Sequence, residues 1–396
     1  MRELSKILEE YSPDVVGLSL RNVDSAFSYG KRSYYLPFAL MVRTIKEEAP
    51  SCKLVVGGNG FSLFSSEIMK RNPEIDFGII AEGEQSFAEL LKSLDKPELA
   101  HNIVLRKNNR LIQTNRGEHL DFSNMPPIPR DLFALGEYRK YQYSMGLQSK
   151  RGCSFGCIFC PNTYLMGTTC RLRPPRKVVD EIEELANEHG VDSFYFVDAV
   201  FNSPLWHARE ICREIIRRKL EVRWEADFRP ELMNASFMKE AVRSGCRLFS
   251  FSPDGASDAT MKMLGKNHTL KDVERTISLT SETDDANVSY SFLYDLPGRN
   301  FEQMRGLSRL IPEIMLRCRT KLRFISLTKI RIYPHTVFHE IALRQGKIKE
   351  HTDLLYPVHY ESGSLLLKAD LLPRAMRGSS IVFQRISRKL GRTDIK

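Results

Sequence analysis

Short apolar runs alternating with helical stretches limit the possible folds more tightly than any other feature of this sequence. VVGLSL (15–20), KLVVGG (53–58) and DFGIIAEGE (76–84) are separated by helical patterns at 2–10, about 34–48, 64–71 and 85–94. Runs this brief between helices predict a parallel, doubly wound α/β sheet. A second series follows, with helices at 175–189, 206–219, 235–244, 270–282 and 302–314. Its apolar runs are SFYFVD (193–198), VRWEADF (222–228), RLFSFSPDG (247–255), VSYSFLYDLPG (288–298) and RFISLTKIRIYP (323–334). With a strand before Cys153, these predict a partial (β/α)6 barrel. Between the two series, 96–122 alternates as a hairpin around Asn108-Asn109, and MPPIPRDLF reads as a semi-rigid linker because prolines block both helix and ladder. The expected organisation is a Rossmann-like domain over 1–122, a linker over 123–144, a barrel over 145–340 and a C-terminal extension over 341–396.

Parallel sheets take ligands at the carboxyl ends of their strands. In the first domain those ends carry Ser19, Gly57, Gly58 and Gly60, although tight turns alone would account for the glycines. In the second they carry Asp198, Glu225, Arg229, Asp254, Tyr294, Leu296, Pro297, Gly298, Tyr333, Pro334, His335 and Thr336. Four of these have a plainer reading as well. Asp198 suits a turn or helix cap, Glu225 and Arg229 a surface ion pair, and His335 an ordinary polar turn rather than a proton donor.

The chemistry is concentrated in SKRGCSFGCIFCPNTY (149–164), which spaces Cys153, Cys157 and Cys160 as CxxxCxxC. Three thiolates on one loop can hold three irons of a [4Fe–4S] cluster and leave the fourth iron open to a non-protein ligand. A structural zinc site wants four ligands, and the next thiol, Cys170, lies well downstream. This loop, with the aromatic Phe159 before its last cysteine, resembles that of the radical S-adenosylmethionine (SAM) enzymes. The resemblance implies that the three cysteines bind the cluster and that SAM caps the open iron through its methionine amine and carboxylate. One electron then cleaves the sulfonium to a 5′-deoxyadenosyl radical. It further implies SAM contacts at Phe159, Asp198, Arg229, Asp254, Pro297 and Tyr333.

The first domain, through VVGLSLRNVDS, LVVGGNGFS and GIIAEGEQSF, resembles the cobalamin-binding domains that precede many radical SAM domains. By that resemblance Ser19, Gly57, Gly58 and Glu82 would line the cobalamin tail. The match starts at what reads as the second βα unit, so this domain is expected to be incomplete at its start. No D-x-H-x-x-G is present to supply a lower cobalt ligand.

The combined resemblance implies cobalamin-dependent C- or P-methylation of a small-molecule substrate, with a reductant such as flavodoxin or ferredoxin. Radical SAM chemistry without methyl transfer is the second reading: 3-amino-3-carboxypropyl transfer, rearrangement or cyclisation. The formal charge of +10 raises tRNA modification as a third, but methylthiotransferase-like enzymes need three further cysteines before the motif, and only Cys52 precedes it. A non-catalytic iron–sulfur protein is the fourth. No apolar run is long enough to span a membrane, the N-terminus MRELSKILEEYSPD is unlike a signal peptide, and eight cysteines without a disulfide-type framework suit a reducing cytoplasm. In the tail, LLPRAMRGSSIVFQRISRKLGR reads as a docked basic helix, and HTDLLYPVHYESGSLL as a cover for the barrel.

Overall fold

The computed structural model describes residues 2–141 and 145–363; the expected basic tail helix lies outside the described residues. By contact the chain divides into two compact units, and these cut across chain order. The first comprises 1–126, 150–172 and 331–359, and the second 127–149, 173–330 and the residues from 360 on.

In the first unit β1 (Val15–Ser19), β2 (Lys53–Gly57) and β3 (Phe77–Ile79) are parallel, and β4 (Ile103–Lys107) and β5 (Arg110–Gln113) extend the sheet antiparallel in the order β1-β2-β3-β4-β5. The apolar stretch Leu54, Val55, Val56 is buried throughout, because helices cover both faces of a parallel strand. The β4–β5 turn places Asn108 and Asn109 at φ 51° and 60°, the left-handed pair a two-residue hairpin needs. The helix expected over 64–71 runs Ser65–Arg71, and a further short helix, Asn59–Leu63, precedes it; the two meet at Phe64, whose φ of −131° leaves the helical range.

The second unit is one sheet of six parallel strands: β6 (Met145–Leu147), β7 (Ser193–Phe196), β8 (Arg223–Phe228), β9 (Cys246–Asp254), β10 (Asn287–Leu293) and β11 (Leu322–Thr328). Their spatial order is β11-β10-β9-β8-β7-β6, an open, partial barrel. Helices Pro175–Asn187, Leu205–Arg218, Ala235–Arg243, Leu270–Glu282 and Asn300–Cys318 provide the crossovers. Residues alternate along β8. Trp224, Ala226 and Phe228 are buried in a core shared with Ile211, Ile215, Phe237 and Phe249, and the Trp224 indole donates to the Ser244 carbonyl at 3.0 Å.

The opposite face of the sheet is polar. Tyr195 donates its hydroxyl to Asp227 at 2.5 Å, and Ser289 donates to Ser250 at 3.0 Å. Burial pushes the Glu225 carboxyl up to about 7; Arg323 opposes the rise and Asp227 adds to it. The folded protein therefore holds this proton above the ordinary carboxyl value of 4.5. Stability falls as pH rises from 4.5 towards 7 and levels off beyond, because the folded state binds the extra proton in that window. Glu225→Gln is thus expected to raise unfolding stability at pH 8 by about 1 kcal/mol, after allowance for solvent screening. At pH 4 it should change nothing; denaturant melts at the two pH values measure the difference.

Candidate active site

The cysteine loop belongs to the first unit. Lys150–Arg151 pairs antiparallel with Arg171–Leu172, so the loop leaves and returns through a two-stranded neck. Gly152 sits at φ +87°, and a Cβ there would stand 2.1 Å from the Thr169 carbonyl oxygen, so only glycine lets the two sides cross. Above the neck, Cys153 N–H donates to Gly167 O at 3.2 Å and Cys160 N–H to Cys157 O at 3.1 Å. Pro161 then leads into helix Asn162–Met166, which packs against the helix Asn59–Leu63 that follows β2. The three thiols are half-buried, as is Phe159.

Glu82 clasps the neck. Its carboxylate takes a bidentate pair from Arg171 at 2.7 and 2.8 Å, a backbone N–H from Leu120 at 3.1 Å, and the Arg151 guanidinium at 3.4 Å. Burial alone would raise its pKa, but Arg171 and these other donors hold it below the usual carboxylate value. The Arg151 guanidinium also lies 4.7 Å from the Phe122 ring centre.

The Tyr333–Thr336 turn is tied to the same loop, since Phe338 N–H donates to Ile158 O at 2.8 Å. His335 stacks on Tyr164 with ring centres 4.0 Å apart, and the Arg116 guanidinium lies 5.4 Å from the Tyr164 centre. Tyr333 is held from beneath. Arg331 lies 4.6 Å from its ring centre and pairs at 2.8 Å with Asp24, whose other oxygen is 3.4 Å from the phenol. Burial, reinforced by the Asp24 charge, pushes the phenol's pKa up, so Tyr333 keeps its proton.

At the carboxyl ends of the first sheet the chain's own backbone fills the space that the glycines open. A Cβ on Gly58, at φ +97°, would meet Leu20 O at 2.7 Å and Ser19 Oγ at 2.8 Å, and one on Gly60 would meet Leu20 O at 2.9 Å. The Leu20 carbonyl accepts from Gly60 N–H, and Leu20 N–H donates to Gly57 O, both at 2.9 Å. Ser62 bridges the next strand, accepting from Ala81 N–H and donating to Gly58 O at 2.9 Å each.

In the second unit the expected residues lie at successive strand ends. Asp198, just past β7, accepts the Ser149 backbone N–H at 2.8 Å and the Ser149 hydroxyl as well. Asn202 grips the Arg229 backbone from both sides, at 2.8 and 3.0 Å, and the Arg229 side chain is paired with Glu231 at 2.6 Å. Asp254 closes β9 in the left-handed region, φ +62°, a conformation that costs a non-glycine residue energy and is common at functional sites. Gln303 holds this end in place. Its amide donates to Asp254 O at 3.0 Å and Leu293 O at 2.5 Å, and accepts from Ala256 N–H at 2.8 Å. Pro297 lies in the turn after β10, where Leu296 N–H is capped by the Asn300 side chain at 2.6 Å. Asp24, Glu231, Lys266, His268 and Gln303 escaped the sequence reading. None of the five left a local signal by itself.

Soft thiolate donors suit iron–sulfur or zinc chemistry. Among the described residues, no three ligand side chains converge on one point as a single ion requires. A cluster takes each thiolate on a separate iron, and three half-buried thiols on one loop are the kind of donor set it uses. An open parallel barrel with charged groups buried at its strand ends, in a chain carrying such a loop, defines an α/β enzyme that uses a cluster.

Residues 147–311 match the family described as the Radical SAM superfamily, and the chain therefore carries a radical SAM domain, whose cofactors are a [4Fe–4S] cluster and SAM. An uncharacterized methyltransferase of Pyrococcus horikoshii is 23% identical over 86% of this chain and 72% of its own length. The anaerobic magnesium-protoporphyrin IX monomethyl ester cyclase of Cereibacter sphaeroides is 25% identical over 71% of this chain, which spans only 46% of that enzyme. Among solved structures, the radical SAM methyltransferase TsrM of Kitasatospora setae superposes with a TM-score of 0.76 at 20% identity, covering 91% of this chain and 71% of TsrM. That likeness extends through both sheets and bears out the expected α/β architecture. Among the described residues no helix is long and apolar enough to cross a membrane.

Proposed function

We propose that this enzyme reductively cleaves SAM and methylates a small molecule with the help of cobalamin. The observation that carries this reading is the three-thiol loop seated beside the carboxyl ends of a doubly wound sheet within one compact unit. The arrangement is paired in sequence with a radical SAM domain. TsrM, which superposes over most of the chain, has been solved with cobalamin and a [4Fe–4S] cluster bound. The cluster, when bound, supplies the electron that breaks the SAM sulfonium, and a small acidic redox protein such as flavodoxin or ferredoxin would replenish it.

The chain's own residues have distinct tasks. Cys153, Cys157 and Cys160 hold the cluster, and the Glu82–Arg171 clasp keeps their loop closed. Asp198, Arg229, Asp254 and Pro297 present polar side chains and backbone to SAM. Tyr333 keeps its proton and offers a neutral donor. By the resemblance Ser19, Gly57, Gly58 and Glu82 would flank the cobalamin tail, although Leu20 occupies the space before the glycines and Glu82 is engaged by Arg171. The setting we propose is the reducing cytoplasm.

A second reading, radical chemistry without methyl transfer, draws on the glycine-lined strand ends of the first sheet, whose open space is taken by Leu20, and on the cyclase relatives. Anaerobically reconstituted protein with SAM and dithionite separates the two readings. S-adenosylhomocysteine beside 5′-deoxyadenosine, with cobalamin absorbance in the purified protein, is expected. 5′-Deoxyadenosine alone, without cobalamin, would overturn methylation in favour of the second reading.

A further inference from the structure

One short segment reaches behind two strand ends of the barrel. Residues 264–268 join helix Asp258–Met263 to helix Leu270–Glu282, and the second helix starts in a capping box between Thr269 and Asp272. The segment is itself tightly folded: Gly265 turns at φ +73°, and Lys266 N–H donates to Met261 O at 2.9 Å. From it Lys266 pairs with the Asp254 carboxylate and donates to Ser252 O at 3.1 Å. Two residues on, the His268 ring meets the Pro253 carbonyl at 3.2 Å with Nε2 and Glu231 Oε2 at 3.4 Å with Nδ1. The ring is thus wedged between the Pro253 carbonyl on one side and the Glu231 carboxylate on the other. Glu231 turns its other oxygen to Arg229, at 2.6 and 2.8 Å.

These side chains are withdrawn from water: Lys266 is 8% exposed, His268 1%, Arg229 6% and Asp254 11%. Burying such charges is a poor way to gain stability, because apolar side chains of similar volume do as well or better. What the network does provide is direction. Arg229 and Asp254 end adjacent strands, β8 and β9; Asp254 is paired with Lys266 of this segment, and Arg229 with Glu231, whose far oxygen lies 3.4 Å from His268 of the same segment. Asp254 is also held in a conformation it would not choose by itself.

We infer that Lys266, His268 and Glu231 are positioning residues for SAM, acting through Asp254 and Arg229; this rests on the function proposed above. The 264–268 segment sets both strand-end charges at once, so its loss loosens SAM binding without removing any group that touches the reacting bond. The test uses full-length enzyme reconstituted with iron and sulfide, dithionite as reductant, and 5′-deoxyadenosine formation followed against SAM concentration. K266M and H268Q should raise the KM for SAM by about 10–100-fold, the usual cost of losing an outer-shell partner, with kcat held within about threefold. K266R should restore most of the lost affinity, a rescue that a merely space-filling role would not show.

KM values within twofold of the parent in both variants, or a fall in kcat at unchanged KM, would overturn the inference. Should K266M fail to take up iron, H268Q, which keeps nearly the same shape, decides alone. Should the parent hold its cluster yet leave SAM intact, the proposed function falls. Equilibrium dialysis of labelled SAM against parent and variants then still decides the positioning role.

Discussion

Cys157→Ser is expected to yield a folded protein that makes no 5′-deoxyadenosine. Serine matches cysteine in shape, and the half-buried Cys157 carries no core packing, so unfolding should stay near that of the parent. The hydroxyl is a hard, weakly acidic ligand and a poor substitute for a thiolate on iron. The loop would then offer two thiolates for three irons. Loss of SAM cleavage by at least about 10³-fold is the scale seen when a group on which the chemistry depends is removed. Iron content and the visible spectrum read the cluster directly, alongside product analysis. A variant with full iron and parental turnover would remove the thiol loop from the mechanism.

Gly152→Ala should be nearly as damaging, for a reason that involves no ligand. The added Cβ would stand 2.1 Å from the Thr169 carbonyl oxygen, and Gly152 already lies at φ +87°. The left-handed conformation alone costs a non-glycine residue about 1–2 kcal/mol, and the clash adds to it. The neck cannot give way cheaply, because Arg171, two residues beyond Thr169, is fixed by both oxygens of Glu82. Opening it would break that bidentate pair and the Leu120 contact together. The expected result is a protein whose barrel core melts normally but which takes up little iron. Normal iron loading would show that the neck does not set the loop's shape.

The strands and helices were legible in the sequence because each obeys a local rule. A continuous apolar run such as Leu54–Val56 suits a strand covered on both faces, and alternation such as Trp224-Glu225-Ala226-Asp227 suits one that is covered on a single face. The cysteine loop was legible because its ligands lie within a few residues of one another. The braces were not. Asp24 and Arg331 are 307 residues apart, Glu82 and Arg171 are 89 apart, and neither pair leaves a spacing for a motif to record. The short helix Asn59–Leu63 ahead of Phe64 was not read from the sequence either. Glu225 and Arg229 read as a possible surface pair, but Arg229 is buried with Glu231, and Glu225 lies on the polar face of the sheet.

Gln303 gives the barrel rim a particular evolutionary grammar. One amide on a crossover helix fastens the mouth residues of β9 and β10 together, and Gly306, one turn along, lets that helix press against the Ala256 backbone. Neighbouring corners of the mouth therefore cannot drift independently. A lineage adapting this scaffold to a new compound would have to vary the lining deeper inside, or elsewhere around the mouth, and leave that corner as inherited.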